Sequence, residues 1–353
     1  MDSIFSVSIL GAGPAGLALA ADLERHGTAT LVYSHPSHLQ HALSVQQSGH
    51  LRVEGVFEGI VNLKITTDMA EAVAFSHIIV LAVPSSGQET MLQQLRPHDL
   101  CRHTLIAVPG NLFSLLLAKD AGIETANVLE SNLSPYACRM EDGRLQLYGK
   151  KRCVFISALR GDAVRLDEVQ AVFPGVRLRW CSSVVEVCLS NINGVLHPLM
   201  RSVSNHEWRR STRARITIGT ALEVAPAHRR SRSPTSAMAS ALGDPVDLAR
   251  YSPPHNRLRA PAAVLSRNIS EDVPDLLVAW HGLAERLGVD ASPISAVIVL
   301  AEMTTGASYA ETGRNLRRLR LEGVSREELI ARFGPVVPQQ EEEQQQQQPQ
   351  TRL

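Results

Sequence analysis

The sequence predicts an α/β protein in which a doubly wound parallel sheet, over residues 1–182, precedes an all-α C-terminal domain, over residues 183–337. Three observations predict this fold class. Short apolar runs of strand length alternate with helical patterns as far as residue 182. A glycine-rich turn follows the first of these runs. After residue 183 the apolar residues recur with a helical period, and no strand pattern follows.

The alternation predicts the elements of the first domain in order. Residues 4–10 form an apolar strand, and the helical pattern after the glycine-rich turn ends at Gly27, a residue suited to a helix C-terminus. A second buried strand is predicted over 29–33, and a helix over 68–75 begins after Asp68, which can serve as its N-cap. Further strands are predicted at residues 77–84, 153–159 and 176–180. Strands that alternate with helices in this way predict parallel pairing with right-handed crossovers.

The composition excludes several classes of protein. Lys plus Arg and Asp plus Glu number 35 each, so the net charge does not indicate a nucleic acid or an anionic membrane as partner. No apolar run approaches the ~20 residues that span a bilayer, and the first residues lack the basic segment of a secretory signal. The five cysteines form no CxxC pair, which disfavours a disulfide scaffold and a zinc ribbon. We therefore expect a soluble, cytoplasmic protein that binds neither nucleic acid nor membrane.

Two segments depart from these patterns. Residues 207–238 contain seven Arg but only Glu207 and Glu223 as acids, and Pro226 and Pro234 interrupt helices there. Because unpaired Arg is costly to bury, we expect this stretch to pack poorly and to weaken any activity. Three explanations would account for this composition: a translated frameshift, a real insertion, or a basic arm for RNA or acidic partners. The Gln- and Glu-rich residues 338–353 have no apolar periodicity and are predicted to form a disordered tail.

The glycine-rich turn indicates a dinucleotide. Gly11-Ala-Gly13-Pro-Ala15-Gly16 has the G-x-G-x-x-G pattern between a predicted strand and a predicted helix, which is the Rossmann-type context. Gly11 permits the tight turn, Gly13 lets the backbone approach a pyrophosphate, and Gly16 lets helix and strand pack closely. The N–H groups at the helix N-terminus bind phosphate oxygens. We therefore predict that these glycines and Ala15 bind the pyrophosphate of a cofactor.

The residues after the second strand bear on which cofactor binds. An NAD site usually has an acid there to bind the ribose 2′-OH. Here Ser34 and His35 occupy that turn with no carboxylate nearby, which favours NADP over NAD, with Arg52 or a protonated histidine facing the 2′-phosphate. The same absence disfavours FAD. The apolar strand that ends at Val83 and Pro84 also fits a nicotinamide enzyme, because its loop would pass beside the cofactor.

Four histidines near this turn raise the alternative of a metal site: His35, His38, His41 and His50. Three of them at a spacing of three could partly share a helical face. We interpret them instead as part of a loop beside the adenosine pocket, and we predict no bound metal.

Four further segments resemble the octopine/nopaline (opine) dehydrogenase family. They are residues 130–139 (ESNLSPYACR), 191–198 (NINGVLHP), 267–274 (RNISEDVP) and 313–316 (GRNL). The resemblance covers residues 1–206 and 239–334, and residues 207–238 depart from the family's pattern. It implies a Rossmann domain followed by a helical domain, and the NAD(P)H-dependent reduction of the imine that an amino acid forms with a 2-oxo acid.

The resemblance also implies roles for individual residues. His197 would be the catalytic acid/base, Asp272 the carboxylate that orients it, and Arg267 a clamp for a substrate carboxylate. These roles are chemically reasonable, because histidine exchanges protons near neutral pH and arginine offers a bidentate fork to a carboxylate. Asn191 and Asn193 are expected to line the site.

Two other functions stay open at this point. One is a ketopantoate-reductase-like NADP oxidoreductase, which is disfavoured because such enzymes typically use a lysine in the helical domain and this chain has no Lys after residue 151. The other is a catalytically impaired dinucleotide-binding protein. The expected partners are small-molecule substrates, an amino acid and a 2-oxo acid. The protein could also assemble as a homodimer.

Overall fold

The computed structural model describes residues 5–118, 123, 125–159, 164–194 and 267–334. The described strands are β1 (Ser6–Leu10), β2 (Ala29–Tyr33), β3 (Leu51–Gly55), β4 (Gly59–Val61), β5 (Lys64–Thr66), β6 (Ile78–Leu81), β7 (Leu100–Ala107), β8 (Thr125–Ser131), β9 (Tyr136–Glu141), β10 (Arg144–Lys150), β11 (Cys153–Ala158) and β12 (Arg177–Trp180). The described helices are α1 (Pro14–Arg25), α2 (Gln40–Ser48), α3 (Met69–Phe75), α4 (Ser85–Leu95), α5 (Phe113–Leu117), α6 (Leu166–Ala171), α7 (Val184–Leu189), α8 (Arg267–Ser270), α9 (Val278–Leu287), α10 (Ser292–Thr305), α11 (Tyr309–Thr312) and α12 (Arg326–Phe333), with a π-helix at Val273–Leu277.

The central sheet has the doubly wound order that the alternation predicts. Its strands lie in the order β12-β11-β8-β7-β6-β1-β2-β5, and the strands from β8 to β5 are parallel. From β1 the chain first adds β2 and β5 on one side and then returns to add β6, β7 and β8 on the other. The topological switch point therefore lies between β1 and β6, where ligands bind in folds of this kind. The predicted Rossmann-type arrangement is confirmed.

The expectation of a wholly parallel sheet was wrong at one place, because β11 runs antiparallel to β8. Between these strands the chain forms a hairpin of β9 and β10, whose two ends meet at the pair Tyr136 and Lys150. Since the hairpin begins and ends at the same place, β11 enters the central sheet at the end of the strands where β8 leaves it. No crossover helix carries the chain back to the other end of the sheet before β11 begins. Strand β11 therefore runs antiparallel to β8, and the sheet is mixed.

A second sheet, in the order β4-β3-β10-β9, was not predicted. Asp142 and Gly143 have positive φ angles of 49° and 76° and close the β9–β10 hairpin. Asp-Gly is a favoured sequence for such two-residue turns. Apolar side chains of this sheet, including Val53 and Leu145, belong to the same buried cluster as Leu17 of α1. The second sheet therefore packs against the helix that follows the glycine-rich turn.

The predicted N-cap at Asp68 is confirmed. The Asp68 side chain accepts a hydrogen bond from the Ala70 N–H at 2.8 Å, at the start of α3. Such caps satisfy N–H groups that have no partner within the helix.

The C-terminal helices pack against one face of the central sheet. Leu81 and Leu105 from the sheet and Trp280 and Leu283 from α9 belong to one continuous cluster of buried side chains. The described residues after β12 form helices and irregular segments, in agreement with the predicted all-α region. The domain limits at residues 182 and 337 stay predictions. Within the described part of the chain, no helix has both the length and the apolar character needed to cross a membrane.

Candidate active site

Two glycines of the turn between β1 and α1 are required by packing. Gly11 has a φ of +127°, and its N–H donates to the Tyr33 carbonyl oxygen at 2.9 Å. A Cβ at Gly11 would lie 2.5 Å from the Ala82 carbonyl oxygen, and a Cβ at Gly16 would collide with the Gly11 carbonyl. These glycines therefore let β1, β6 and α1 approach one another closely at the switch point.

Gly13 differs, because no neighbouring protein atom requires a glycine there. Its φ of −78° and ψ of 174° suit other residues, and an added Cβ would meet no atom of the described residues within 4 Å. Gly13 is the N-cap of α1, which begins with Pro14 and has no acid in its first turn. The N–H groups at such a helix end attract anions. The turn therefore fits the pyrophosphate of a dinucleotide, for which Gly13 leaves room.

A cleft of about 580 Å³ opens beside this turn. Seven of the predicted site residues line it: Gly13, Ala15, Val83, Pro84, Asn191, Asn193 and Asp272. Gly13 and Ala15 lie at the start of α1, and Val83 and Pro84 lie in the loop between β6 and α4. Asn191, Asn193 and Asp272 come from the helical part of the chain. The structure thus brings predicted cofactor residues and predicted substrate-site residues together in one cleft. Their individual roles remain predictions.

Ser34 and His35 follow β2 at the same edge of the sheet but do not line the cleft. Ser34 is buried, and its hydroxyl donates to the His38 carbonyl oxygen at 3.1 Å. The Nδ1 atom of His35 accepts the Ser37 N–H at 3.1 Å. This turn is therefore held by its own hydrogen bonds, and it carries no carboxylate.

The other predicted residues are placed only in part. Arg52, considered as a partner for a 2′-phosphate, forms an ion pair with Glu54 at 2.8 Å. Arg267 begins α8, but its side chain is outside the described part of the structure. His197, residues 207–238 and the predicted tail at 338–353 lie outside the described residues altogether.

Three carboxylates from the helical part of the chain lie close together at the cleft. Asp272 and Glu271 line it, and both are buried, as is Asp275. Burial raises the pKa of Asp275 to about 6, the Arg314 guanidinium opposes this shift, and the charges of Glu271 and Asp272 add to it. This side of the cleft therefore presents the carboxylates of Glu271 and Asp272, groups that can bind a protonated amine or an imidazolium.

Arg314 joins the helical part of the chain to the dinucleotide-binding part. It is 1% exposed, and its guanidinium donates to the Ser85 carbonyl oxygen at 3.0 Å and to Oε1 of Gln88 at 2.7 Å. It also donates to the Asn111 carbonyl oxygen, and its Nε lies 3.4 Å from the Asp275 carboxylate. An arginine can be buried here because it has both acceptors and a counter-charge.

Asn111, in the loop after β7, connects the two sides of the cleft. Its side-chain nitrogen donates to the Ser85 hydroxyl at 2.7 Å, and its side-chain oxygen accepts from Asn191 at 2.9 Å. The Asn191 side-chain oxygen in turn accepts the Asn193 N–H at 3.0 Å. This series of hydrogen bonds fixes Asn193 relative to the start of α4.

Glu130 holds the same loop from within the protein. The buried carboxylate accepts the N–H groups of Leu112 and Ser114, each at 2.8 Å. Burial raises the pKa of Glu130, and these hydrogen bonds lower it in part. Asn111 and Leu112 both have positive φ angles, 53° and 67°, which non-glycine residues adopt only when surrounding contacts stabilise them. Glu130 provides such contacts.

Strand β9 adds side chains to the cleft that the sequence did not identify as site residues: Tyr136, Cys138 and Arg139. Arg139 is exposed and is the positively charged residue among the described lining. The Tyr136 hydroxyl donates to the Asp22 carboxylate at 2.7 Å, and Lys150 donates to the same oxygen at 2.6 Å. These bonds join the second sheet to α1 and so fix this side of the cleft.

Three contact-making residues of the site were not assigned a role from the sequence: Asn111, Glu271 and Arg314. Asn111 follows a buried parallel strand, where ligand-binding residues are common, so its position was a usable signal. Glu271 adjoins the predicted Asp272. Arg314 lies in the family-like segment 313–316, but no local pattern indicates which distant groups it contacts.

Replacing Gly13 with valine should weaken NADPH binding at least tenfold while leaving the fold intact. The added Cβ meets no atom of the described part of the chain within 4 Å, and the side chain would occupy the space proposed for the pyrophosphate. Fluorescence titration of NADPH measures the effect, and Gly323→Val serves as the control, because Gly323 also has no atom within 4 Å of an added Cβ and does not line the cleft. Equal affinity of the two variants for NADPH would place the cofactor elsewhere.

Two family models match the chain. The alpha-helical domain of NAD/NADP octopine/nopaline dehydrogenases matches residues 209–305. The N-terminus of NAD-dependent glycerol-3-phosphate dehydrogenase matches residues 6–118. The first range includes residues 209–238, which were predicted to depart from the family's pattern, so that pattern extends further into this stretch than predicted.

Individual proteins show the same relationship. Protein ocs of Agrobacterium tumefaciens (strain Ach5) is 27% identical over 358 residues, which cover 92% of this chain and 98% of the relative. The structure of octopine dehydrogenase with NADH and L-arginine has a TM-score of 0.71 at 16% identity, covering 92% of this chain and 98% of the other. Yersinopine dehydrogenase with NADP+ bound has a TM-score of 0.66 at 17% identity, covering 94% and 99%. The predicted resemblance to the octopine/nopaline dehydrogenases is therefore confirmed: the chain matches the model of their alpha-helical domain, after a match to a dinucleotide-dependent dehydrogenase N-terminus, and is similar to their members over most of its length.

Proposed function

We propose that this chain is an NAD(P)H-dependent dehydrogenase of the opine type, which joins an amino acid to a 2-oxo acid and reduces the imine between them. One observation carries the proposal. A single cleft at the switch point contains the anion-binding start of α1, the end of β6 and the buried carboxylate of Asp272. The similarity to Protein ocs and to octopine dehydrogenase over most of the chain supports the same function.

The residues of the cleft divide between cofactor and substrates. Gly13 and Ala15 would hold the pyrophosphate, and Val83 and Pro84 would lie beside the nicotinamide. When bound, the reduced nicotinamide supplies the hydride that adds to the imine carbon. The Asp272 carboxylate suits the amino group of the amino acid or a protonated histidine.

Proton transfer is assigned to His197 on the strength of the family resemblance. The substrate amine attacks the 2-oxo carbon, and the resulting hydroxyl must receive a proton to leave as water. A histidine, which exchanges protons near neutral pH, can take the proton that the attacking amine releases and give a proton to the departing hydroxyl. Asp272 would hold the imidazole in the required orientation, and Arg267 would bind a substrate carboxylate through its two parallel N–H groups.

We infer that NADPH is preferred over NADH. Ser34 and His35 follow β2 without a carboxylate, and a carboxylate at this turn would repel a 2′-phosphate. The homodimer and the cytoplasmic location also remain predictions.

The purified chain should oxidise NADPH only when an amino acid and a 2-oxo acid are both present. The assay follows NADPH absorbance with pyruvate or 2-oxoglutarate and a mixture of amino acids, and mass spectrometry identifies the secondary amine. NADH is run in parallel, and we expect a lower kcat/KM with it.

Each alternative has its own outcome in this assay. Oxidation with the 2-oxo acid alone, with an alcohol as product, would indicate a reductase of the ketopantoate type. Tight NADPH binding without turnover would indicate an impaired dinucleotide-binding protein and would agree with the expectation that residues 207–238 weaken activity. Trypsin offers a second test of that expectation. Cleavage between Arg209 and Arg232 before other sites would also agree with poor packing of residues 207–238.

A further inference from the structure

Ser85 is held at all three of its polar groups by residues distant in the sequence. Its N–H donates to Oε1 of Glu271 at 2.9 Å, and its carbonyl oxygen accepts from Arg314 at 3.0 Å. Its hydroxyl accepts from Asn111 at 2.7 Å. Ser85 is 3% exposed, so these bonds are shielded from water. Two of the three partners belong to the helical part of the chain.

Glu271 gives the start of α4 a carboxylate cap that the helix's own first residues do not provide. Ser85 is the first residue of α4, its N-cap is Pro84, whose side chain makes no capping hydrogen bond, and no acid lies in the first turn of the helix. The first N–H groups of a helix have no partner within it and carry a partial positive charge. A carboxylate at this position forms a charge-assisted hydrogen bond with such a group. Glu271 therefore caps α4 from a different part of the fold.

This contact lies between the two halves of the cleft. Ser85 directly follows Val83 and Pro84, which line the cleft beside the proposed nicotinamide position. Glu271 directly precedes Asp272, which lines the same cleft. The hydrogen bond between the Ser85 N–H and Glu271 therefore joins the loop after β6 to the residue beside the substrate-side carboxylate.

We propose that Glu271 is a positioning residue, which aligns the cofactor loop at Val83 and Pro84 with Asp272 by bonding to the Ser85 N–H. The catalytic part of this proposal rests on the proposed function. Arg314 and Asn111 hold Ser85 independently, so loss of Glu271 leaves the loop folded but displaced. A displacement of about 1 Å in such a site can lower a rate 100-fold.

The test compares Glu271→Ala, Glu271→Gln and the control Glu285→Ala. Glu285 is an exposed acid of α9 that does not line the cleft. We expect Glu271→Ala to lower kcat about 10- to 100-fold, with the dissociation constant of NADPH nearly unchanged. The kinetic isotope effect with NADPH deuterated at the transferred position should rise, because hydride transfer becomes rate-limiting. Glu271→Gln should recover much of the activity, since its amide oxygen can accept the same N–H.

Hydrogen–deuterium exchange provides a readout that needs no turnover. The peptide containing residues 85–89 should exchange faster in Glu271→Ala than in the wild type, and at the wild-type rate in Glu285→Ala. A wild type that forms no opine would refute the proposed function, and the exchange result would then decide whether Glu271 caps α4. Turnover by an active wild type that is unchanged in Glu271→Ala, or unchanged exchange at residues 85–89, would overturn the positioning role.

Discussion

Arg314→Met is expected to destabilise the folded protein by about 3–5 kcal/mol, the usual cost of removing one partner of a buried ion pair. Methionine fills much of the same volume but donates no hydrogen bond. The Asp275 carboxylate would then lose the cation that faces it, 3.4 Å from the Arg314 Nε. The acceptors on Ser85 and Gln88 would lose their donor in a region from which water is excluded.

Urea denaturation followed by circular dichroism measures this change in the free energy of unfolding. Arg317→Met is the matched control, because Arg317 is exposed and lies three residues further along the chain. We expect the control to change the free energy of unfolding by less than about 0.5 kcal/mol, as is usual at exposed positions. A similar small change for Arg314→Met would mean that its buried contacts contribute little to stability.

His197→Ala is expected to lower kcat about 10²- to 10⁴-fold, the usual contribution of a general acid/base. The affinity for NADPH should stay the same, because the proposed role lies in proton transfer to the substrates. Steady-state kinetics and NADPH titration of the same preparation separate the two effects.

The control for this variant is His281→Ala. His281 lies on α9, where it faces Glu285 at 3.5 Å, and it does not line the cleft. We expect near wild-type kcat from it. If His197→Ala retained more than a third of wild-type kcat, another group would have to transfer the proton.

Local patterns were enough to predict the dinucleotide-binding part of the fold. The order of strand, glycine-rich turn and helix at Gly11, Gly13 and Gly16 was predicted, and so were the strand that ends at Tyr33 and the N-cap at Asp68. Each of these features depends on residues a few positions apart, and the conformations of such short stretches follow from steric and hydrogen-bonding rules. The position of the cleft then follows from the switch point of the sheet.

The direction of β11 and the second sheet were not predicted for a different reason. The hairpin of β9 and β10 lies between two strands of the central sheet and returns the chain to the edge it left. Alternation of apolar runs does not reveal whether two strands are joined by a crossover or by such an excursion. The Asp-Gly turn at residues 142–143 was the one local signal of the hairpin.

The sequence by itself indicated the resemblance to the octopine/nopaline dehydrogenases and a nicotinamide dinucleotide as cofactor, because the segments that resemble that family and the glycine-rich turn can be identified without a structure. Only the tertiary structure decided how those segments are held together. Glu271 and Arg314 reach Ser85 across 186 and 229 residues of sequence, and Arg314 reaches Asn111 across 203. No pattern of spacing identifies such partners, since burial and the geometry of unpaired N–H and carbonyl groups select them only after the chain has folded.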